Sequence, residues 1–590
     1  MEIASSQRRR PAGGPCAWVL LALVAVGACS EGRSGSEPGS EVPATSVTMA
    51  ADTVYLGRHV ITMDPQRPEA SAVAVRDGRI VWVGDRADWN GSAEQTVELG
   101  ERALLPGFID AHGHLSFLAR TVNLANVAVP PVGAVTDLGS LGEVLRAHIA
   151  ERGIDPGDWV LGMGYDDSLM EEQRHPNRDD LDAVSTDHPL ALIHVSGHLM
   201  AANSLALERA GIDADSVDPP GGVIRRRAGS REPDGVLEET ATAALQRFFI
   251  DGEGLPVADI ERALALYASY GITTVQDGAA SWDIYRLLAD AAAGDGLSLD
   301  VVIYPRAMEA DFAVPEDVEP GVYRDRLKIG GVKLILDGSP QGKTAYLSHP
   351  YHVPPAGLAA DYRGYPTLPQ EAVDQLVARY LDDGLPMIVH CNGDAAAQML
   401  IDAVARAPAD AAKGDHRTVM IHAQTVREDQ LDRMQTLGIL PSYFSAHTFY
   451  WGDWHRDSVL GPERAARISP TATTLARGMH FTVHNDAPIV PPDMVRLLWA
   501  TTNRETRSGA TLGKDQRIST FDALRAITLD AAYQQFEEHE KGSLTAGKRA
   551  DLVILSADPL AMEPAQLLDL DIVATVSRGQ EVYRAPGVAL

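Results

Sequence analysis

The sequence predicts an α/β fold. It is a (β/α)8 TIM barrel, flanked by a composite β-sandwich built from both chain ends, with an inserted subdomain after the first barrel strand. Three observations predict it. Eight short apolar runs alternate with amphipathic stretches through the middle of the chain; alternation gives a parallel sheet, and eight repeats close it. Short β-type runs cluster before and after that alternation. The interval between the first and second runs, about 115–259, is far too long for one crossover and must hold structure of its own.

The first 29 residues read as a targeting signal. Arg8, Arg9 and Arg10 precede an apolar stretch, 17–28, too short for a stable membrane anchor. It ends in Val26-Gly27-Ala28-Cys29, a pattern resembling the lipobox of bacterial lipoproteins. Lipidation of Cys29 is one expectation; cleavage of an ordinary signal peptide nearby is the other. Either way the chain is exported, as a membrane-anchored lipoprotein or as a periplasmic or extracellular protein. Residues 30–50, rich in Gly, Ser, Glu and Pro, read as a flexible tether.

The β-rich ends are 51–103 and 540–590. In the first, runs at 71–75 and 79–83 flank Asp77-Gly78, a hairpin signal. In the second, runs fall at 551–555, 572–576 and 581–583. Between them, 104–539 holds the barrel, with strands expected at 104–111, 272–276, 299–304, 331–336, 385–389, 418–421, 439–442 and 481–483. Amphipathic helices are expected between them, for example 371–383, stopped by Gly384, and 427–437, stopped by Gly438.

Composition excludes some classes. Lys and Arg number 51 against 81 acids, a formal charge of −30, so nucleic acid is excluded as a partner. The three cysteines are Cys16, Cys29 and Cys391, which leaves no pair for a disulfide within the mature chain.

The chemistry concentrates at the ends of the apolar runs. The first run ends Asp110-Ala111-His112-Gly113-His114. Alternate residues of a strand point the same way, so both imidazoles can face the mouth of a barrel, where such folds place their sites. Imidazole is the commonest protein metal ligand. Lys333 lies inside a buried run, where a lone cation is costly unless paired or neutralised. His390 and His422 end the next two runs, and Asp486 follows the last. Any one of these could be an ordinary buried polar group; their recurrence at successive strand ends points to a site.

These residues sit in a set of motifs: PGFIDAHGH, HVSGHLMAANSLAL, PDGVLEE, GVKLILDGSPQGKTA, HCNGDAA, IHAQ, HNDAPIVP and GSLTAGKRADLVIL. In them the chain resembles the amidohydrolase superfamily, specifically the amidohydrolase-3 or YtcJ-like group that includes N-substituted formamide deformylases. The resemblance runs from about 52 to 583. It implies that His112 and His114 bind one metal, that His390 and His422 bind a second, and that Lys333 is carboxylated and bridges them. It implies that Asp486 touches a metal and acts as general base on a metal-activated hydroxide. Two zinc ions suit such ligands, with manganese or iron as alternatives; a single-metal site on His112, His114 and Asp486 is the other arrangement. His198 matches a family motif and either binds substrate and steadies the oxyanion or holds a loop. Glu238 and Gln341 carry similar matches as substrate-binding residues.

His484 is expected to support Asp486, and Cys391 to pack. The aromatic tract 443–454 either walls the pocket or packs a loop. The expected function is a metal-dependent amidohydrolase acting on the C–N bond of a small organic substrate, an amide or an N-formyl or N-acyl group. Hydrolysis of a cyclic amide or ester, deamination, and a non-catalytic binding lipoprotein are the alternatives. A homodimer is compatible with a barrel of this size.

Overall fold

The computed structural model describes residues 49–248, 254–294, 296–309, 311–355, 357–408 and 414–590. The expected signal peptide, the lipidation site Cys29 and the tether up to residue 48 lie outside these residues.

Both chain ends meet in one seven-stranded sheet. In spatial order its strands are Gln580–Arg584, Ile572–Ser577, Leu552–Leu555, Ser92–Pro106, Ala50–Ile61, Glu69–Arg76 and Arg79–Gly84. The hairpin at Asp77-Gly78 forms as expected, with φ of 52° and 73°, the double positive φ of a type I′ turn. The expected two-layer sandwich is corrected to a single mixed sheet. The long strand Ser92–Pro106 is the reason. It pairs parallel with Ala50–Ile61 and antiparallel with Leu552–Leu555, stitching the two ends into one ladder. Tyr55, Val73 and Ile80 of one end share an apolar cluster with Leu552 and Val576 of the other.

The first expected barrel strand, 104–111, is divided between two sheets. Leu104 pairs with Ile554 in the flanking sheet, whereas Phe108 pairs with Ile272 in a parallel one. The switch falls at Pro106-Gly107, where a Cβ on Gly107 would lie 2.4 Å from Thr273. One parallel sheet then runs Leu327–Ile329, Asp300–Pro305, Ile272–Ala280, Phe108–Ile109. A second runs Val332–Ile335, Met387–Cys391, Val419–His422, Leu440–Tyr443, Thr482–Val483. They adjoin twice. Gly330-Gly331 interrupts what is otherwise one strand, and Lys333 bridges to Arg306. At the other junction, Asp486 N donates to His112 O (3.2 Å) and His114 N to Ala487 O (2.8 Å).

The helices between strands bury one stripe each. Gln370–Asp382 buries Val373, Leu376, Val377, Tyr380 and Leu381, the i, i+3, i+4 spacing of an amphipathic face. Glu428–Leu437 ends at Gly438 in the left-handed conformation (φ 71°), as its sequence predicts. Among the described residues no helix is long and apolar enough to cross a membrane.

The long interval after Phe108–Ile109 builds a six-stranded sheet of its own. Its order is Gly222–Arg226, Pro233–Glu239, Leu199–Ala202, Leu190–His194, Val160–Tyr165, Ala125–Asn126. Ile193, Met200 and Leu237 of that sheet share one apolar core with Val275, Leu334 and Val389 of the parallel sheets. Shared packing of this kind fixes the inserted sheet over the strand ends, where the polar residues converge.

Candidate metal centre

His112 and His114 leave the strand end with their Nε2 atoms aimed at one carboxylate. Asp486 Oδ1 lies 3.4 Å from the first and 3.2 Å from the second. Their Nδ1 atoms are held from behind. His112 Nδ1 is 2.6 Å from Gln276 Oε1, and Gln276 Nε2 donates to Ala111 O. His114 Nδ1 meets the Gly278 carbonyl. Acceptors on both Nδ1 atoms put the protons there and leave the Nε2 lone pairs facing the centre.

On the opposite side, His422 Nε2 lies 3.1 Å from His390 Nδ1 and 3.9 Å from Asp486 Oδ2. His390 Nε2 donates to the Gly338 carbonyl at 3.1 Å, so its Nδ1 faces inward. Lys333 Nζ lies 3.0 Å from His112 Nε2. The six residues singled out for the metal are thus brought to one place. The tightest group is His112, His422 and Asp486, whose ligand atoms all fall within 4.8 Å of one another. Separations near 3–4 Å between donors are those of ligands sharing an ion at about 2.1 Å.

The protonation states suit metal ligands. Burial drives His112, His390 and His422 well below the usual imidazole value, so each offers a lone pair. Burial also lowers Lys333, to about 8. Burial raises Asp486, and His422, His114 and His112 lower it only in their protonated forms, so with these rings neutral its negative charge calls for a cation. Its Oδ1 has no hydrogen-bond partner among the described residues, an orphaned buried acceptor that a cation would satisfy. Four imidazoles, a carboxylate and a poorly solvated amine fit a divalent metal. The backbone is strained at the same place. His422 and Asp486 have φ of 70° and 57°, a region costly for side chains other than glycine.

His198 stands at the rim, its ring 4.9 Å from that of His390. Its Nδ1 is 2.7 Å from Glu239 Oε2. Burial alone would lower His198, but Glu239, Asp337 and Asp486 raise it above the usual value.

Glu238, the residue expected to bind substrate, pairs with Arg225 and accepts from Tyr365 Oη at 3.3 Å. Its neighbour Glu239 is the one that reaches His198. Gln341 is buried with Oε1 unpartnered among the described residues. His484 makes no hydrogen bond to Asp486; its ring stands 5.2 Å from those of both His112 and His422. Cys391 packs in the apolar core, as expected. The aromatic tract divides. Phe444 stands 5.3 Å from His484 beside the centre, whereas Trp451 donates to Asp166 and Trp454 to the Gln341 carbonyl.

The sequence reading missed Gln276 and Glu239. Gln276 carried a usable signal, a lone amide in a buried strand. Glu239 had none, since Glu238 and Glu239 are equivalent until the backbone between them is known.

A model of the amidohydrolase family, the amidohydrolase-3 group, matches residues 95–583. The chain belongs to this family. It is 29% identical to the N-substituted formamide deformylase of Arthrobacter pascens over 564 residues, covering 92% of this chain and all of that one. It is 26% identical to the putative amidohydrolase YtcJ of Bacillus subtilis, covering 90% and 99%. Among solved structures, an uncharacterized metal-dependent hydrolase from Pyrococcus horikoshii superposes with a TM-score of 0.65 at 23% identity. That match covers 87% of this chain and 99% of the other and shows a shared fold. The amidohydrolase therefore carries a buried His/His/Asp group capable of holding a metal, on the fold of a metal-dependent hydrolase.

Proposed function

We propose that this amidohydrolase hydrolyses the C–N bond of a small N-acyl or N-formyl compound at a centre for two divalent metals, zinc foremost. The observation that carries the reading is the convergence of His112 and His114 on Asp486 Oδ1, with His390 and His422 paired across the same carboxylate. The similarity to an N-substituted formamide deformylase supports the substrate class. In this reading the two parallel sheets act as one closed barrel whose strand ends carry the ligands.

Bound metal supplies a nucleophilic hydroxide at neutral pH and polarises the scissile carbonyl. Asp486 takes the proton as attack proceeds and returns it to the departing nitrogen, since its oxygens border both groups of histidines. His198, kept protonated on Nδ1 by Glu239, faces the opposite rim and steadies the developing oxyanion. Carbamate formation with CO2 needs a neutral amine, and burial lowers Lys333 toward that form. A buried amine lowered to about 8 is partly neutral near physiological pH, and the resulting anion would bridge two cations at no unpaired-charge cost.

Cys29 is the proposed lipid-attachment point, which would place the enzyme on a membrane after export, acting on substrates there or outside the cell.

The test is elemental analysis of protein expressed without its first 29 residues, followed by a screen of N-formyl and N-acyl compounds. About two metals per chain are expected at the centre, counted as the metal lost when His112, His422 and Asp486 are all replaced by alanine. One would indicate the arrangement on His112, His114 and Asp486 and leave Lys333 uncarboxylated. None, after growth with added zinc and manganese, would sink the enzymatic reading. Turnover of cyclic amides or esters alone would keep the centre and change the reaction.

A further inference from the structure

A second group of ligand-type residues lies in the inserted sheet, apart from the six residues of the barrel centre. Val160–Tyr165 and Leu190–His194 are adjacent parallel strands, with Tyr165 opposite His194 in register. Asp167 follows the end of the first strand, and His194 ends the second. His175 returns from the following loop. Crevices at the carboxyl ends of parallel strands are where open α/β sheets take ligands.

The three side chains meet through the atoms a metal would use. Asp167 Oδ1 is 3.0 Å from His194 Nε2, and Asp167 Oδ2 is 3.4 Å from His175 Nε2. All three ligand atoms lie within 4.8 Å of one another. Donors bound tetrahedrally at about 2.1 Å sit roughly 3.4 Å apart, so little movement is needed.

The far side of each imidazole faces a hydroxyl. His175 Nδ1 is 3.2 Å from Tyr165 Oη, and His194 Nδ1 is 2.8 Å from Ser196 Oγ. A hydroxyl can accept the Nδ1 proton and so free the Nε2 lone pair, which is how metal-binding histidines are oriented. Arg225 forms its ion pair with Glu238, while it and Lys343 lie within electrostatic range of Asp167 without an ion pair to it among the described residues. His194 is fully buried and the Asp167 side chain is 16% exposed, so the group is enclosed on one side and reachable on the other.

We propose that Asp167, His175 and His194 bind a divalent transition metal, zinc or iron(II), in a site separate from the barrel centre. Two imidazoles and one carboxylate on one face, with a position left for water, suit these ions. Its proposed role is to position a neighbouring segment. Ser196 links it to the catalytic rim, because its Oγ contacts His194 Nδ1 and accepts the backbone N–H of His198 at 3.2 Å. A metal on His194 fixes the segment that carries His198. Without metal, the same three residues form a chain of hydrogen bonds in which both Nε2 protons point at Asp167. Ser196 N, 3.1 Å from His194 Nδ1, favours that tautomer in the metal-free protein. Binding shifts each proton from Nε2 to Nδ1, with no net proton released.

The test compares chelator-stripped, zinc-reloaded wild type with the His175→Gln variant by elemental analysis, with circular dichroism to confirm folding. His175→Gln is expected to hold about one metal fewer per chain. Equal metal content in the two proteins would overturn the site and leave a hydrogen-bonded triad only. A second measurement leaves the triad untouched. In the His112→Ala, His422→Ala, Asp486→Ala triple variant, a cobalt titration is expected to saturate with visible d–d bands at about one equivalent, and adding His175→Gln to that variant is expected to abolish them. Absence of those bands would also overturn the proposal. Neither readout uses activity, so both stand apart from the reading of the barrel centre.

Discussion

Glu239 Oε2 lies 2.7 Å from His198 Nδ1, and this contact couples the inserted sheet to the barrel centre. The strand Pro233–Glu239 ends at this carboxylate, and the His198 ring it holds faces His390. Glu239 adopts φ 48° and ψ −122°, a conformation glycine reaches freely and other residues do not. Glu238 and Glu239 are successive residues of that strand, where side chains alternate between faces, and only the second reaches His198.

Relief of that strain is measurable. Glu239→Gly is expected to be more stable than Glu239→Ala by about 1 kcal/mol, because alanine keeps the unfavourable φ and glycine does not. Both variants should lose roughly tenfold to a hundredfold in activity, as happens when a residue orienting a site histidine is removed. Urea unfolding midpoints and kcat on the first substrate found provide the check. An alanine variant as stable as the glycine one would show that Glu239 is not strained in solution.

Asp486→Asn keeps the shape of the side chain and removes its basicity. Loss of a positioned general base typically costs about 10²–10⁴-fold, so kcat should fall by that much while the far-ultraviolet circular dichroism stays that of wild type. The asparagine also offers a weaker ligand, and metal content should fall in part. Unchanged kcat would remove Asp486 from the role of base.

Much of this was legible in the amino-acid order because barrel strands announce themselves twice, by an apolar run and by the polar residue that ends it. His112, His390, His422 and Asp486 were all found that way. What failed was what periodicity cannot see. The run 104–111 is continuous in hydropathy, yet it changes sheets at Pro106-Gly107, since Leu104 and Phe108 hydrogen-bond to different partners. A sandwich and a single sheet have the same alternation, and only the double pairing of Ser92–Pro106 distinguishes them. Glu238 and Glu239 differ by a backbone torsion that no pattern of side chains encodes. His484 sits in a motif beside Asp486, but its ring stands equally close to His112 and His422 and makes no hydrogen bond to Asp486 among the described residues.

Far from the centre, Asp300 ties the parallel sheets to the C-terminal segment. It is fully buried, 2.7 Å from Lys541 and 2.8 Å from Arg578, and bonded to Arg549. Burial raises its pKa, but Lys541, Arg578 and Arg549 together bring it below the ordinary carboxylate value. A depressed carboxylate stabilises the fold above its unfolded value, about 3.9, and that contribution is lost as pH falls through the lower folded value. Asp300→Asn leaves buried cations without their counter-charge and should cost about 3–5 kcal/mol at pH 7. The difference from wild type should shrink only below about pH 4. Denaturant melts of both proteins from pH 7 to pH 3 test this, and a pH-independent difference would mean that the charge of Asp300 is not what the variant removes.

The most indirect test of the metal centre uses a residue that is not a ligand. Gly278 follows Gln276 and Asp277 on the second parallel strand, and a Cβ there would lie 2.6 Å from His112 Cε1 and 3.2 Å from its Nδ1. The ring cannot retreat, because Gln276 holds Nδ1 at 2.6 Å and Gln276 is itself fixed to the Ala111 carbonyl. The backbone at Gly278 has no positive φ, so alanine brings no conformational strain, only the collision. Gly278→Ala should therefore tilt His112 Nε2 away from Asp486 and Lys333. The expected result is a folded protein, destabilised by about 1–3 kcal/mol as for other overpacked sites, that retains less metal after dialysis and recovers activity only with excess zinc. Wild-type metal content in this variant would show that the position of the His112 ring does not govern binding at the centre. The six converging residues would then need another explanation for their shared geometry.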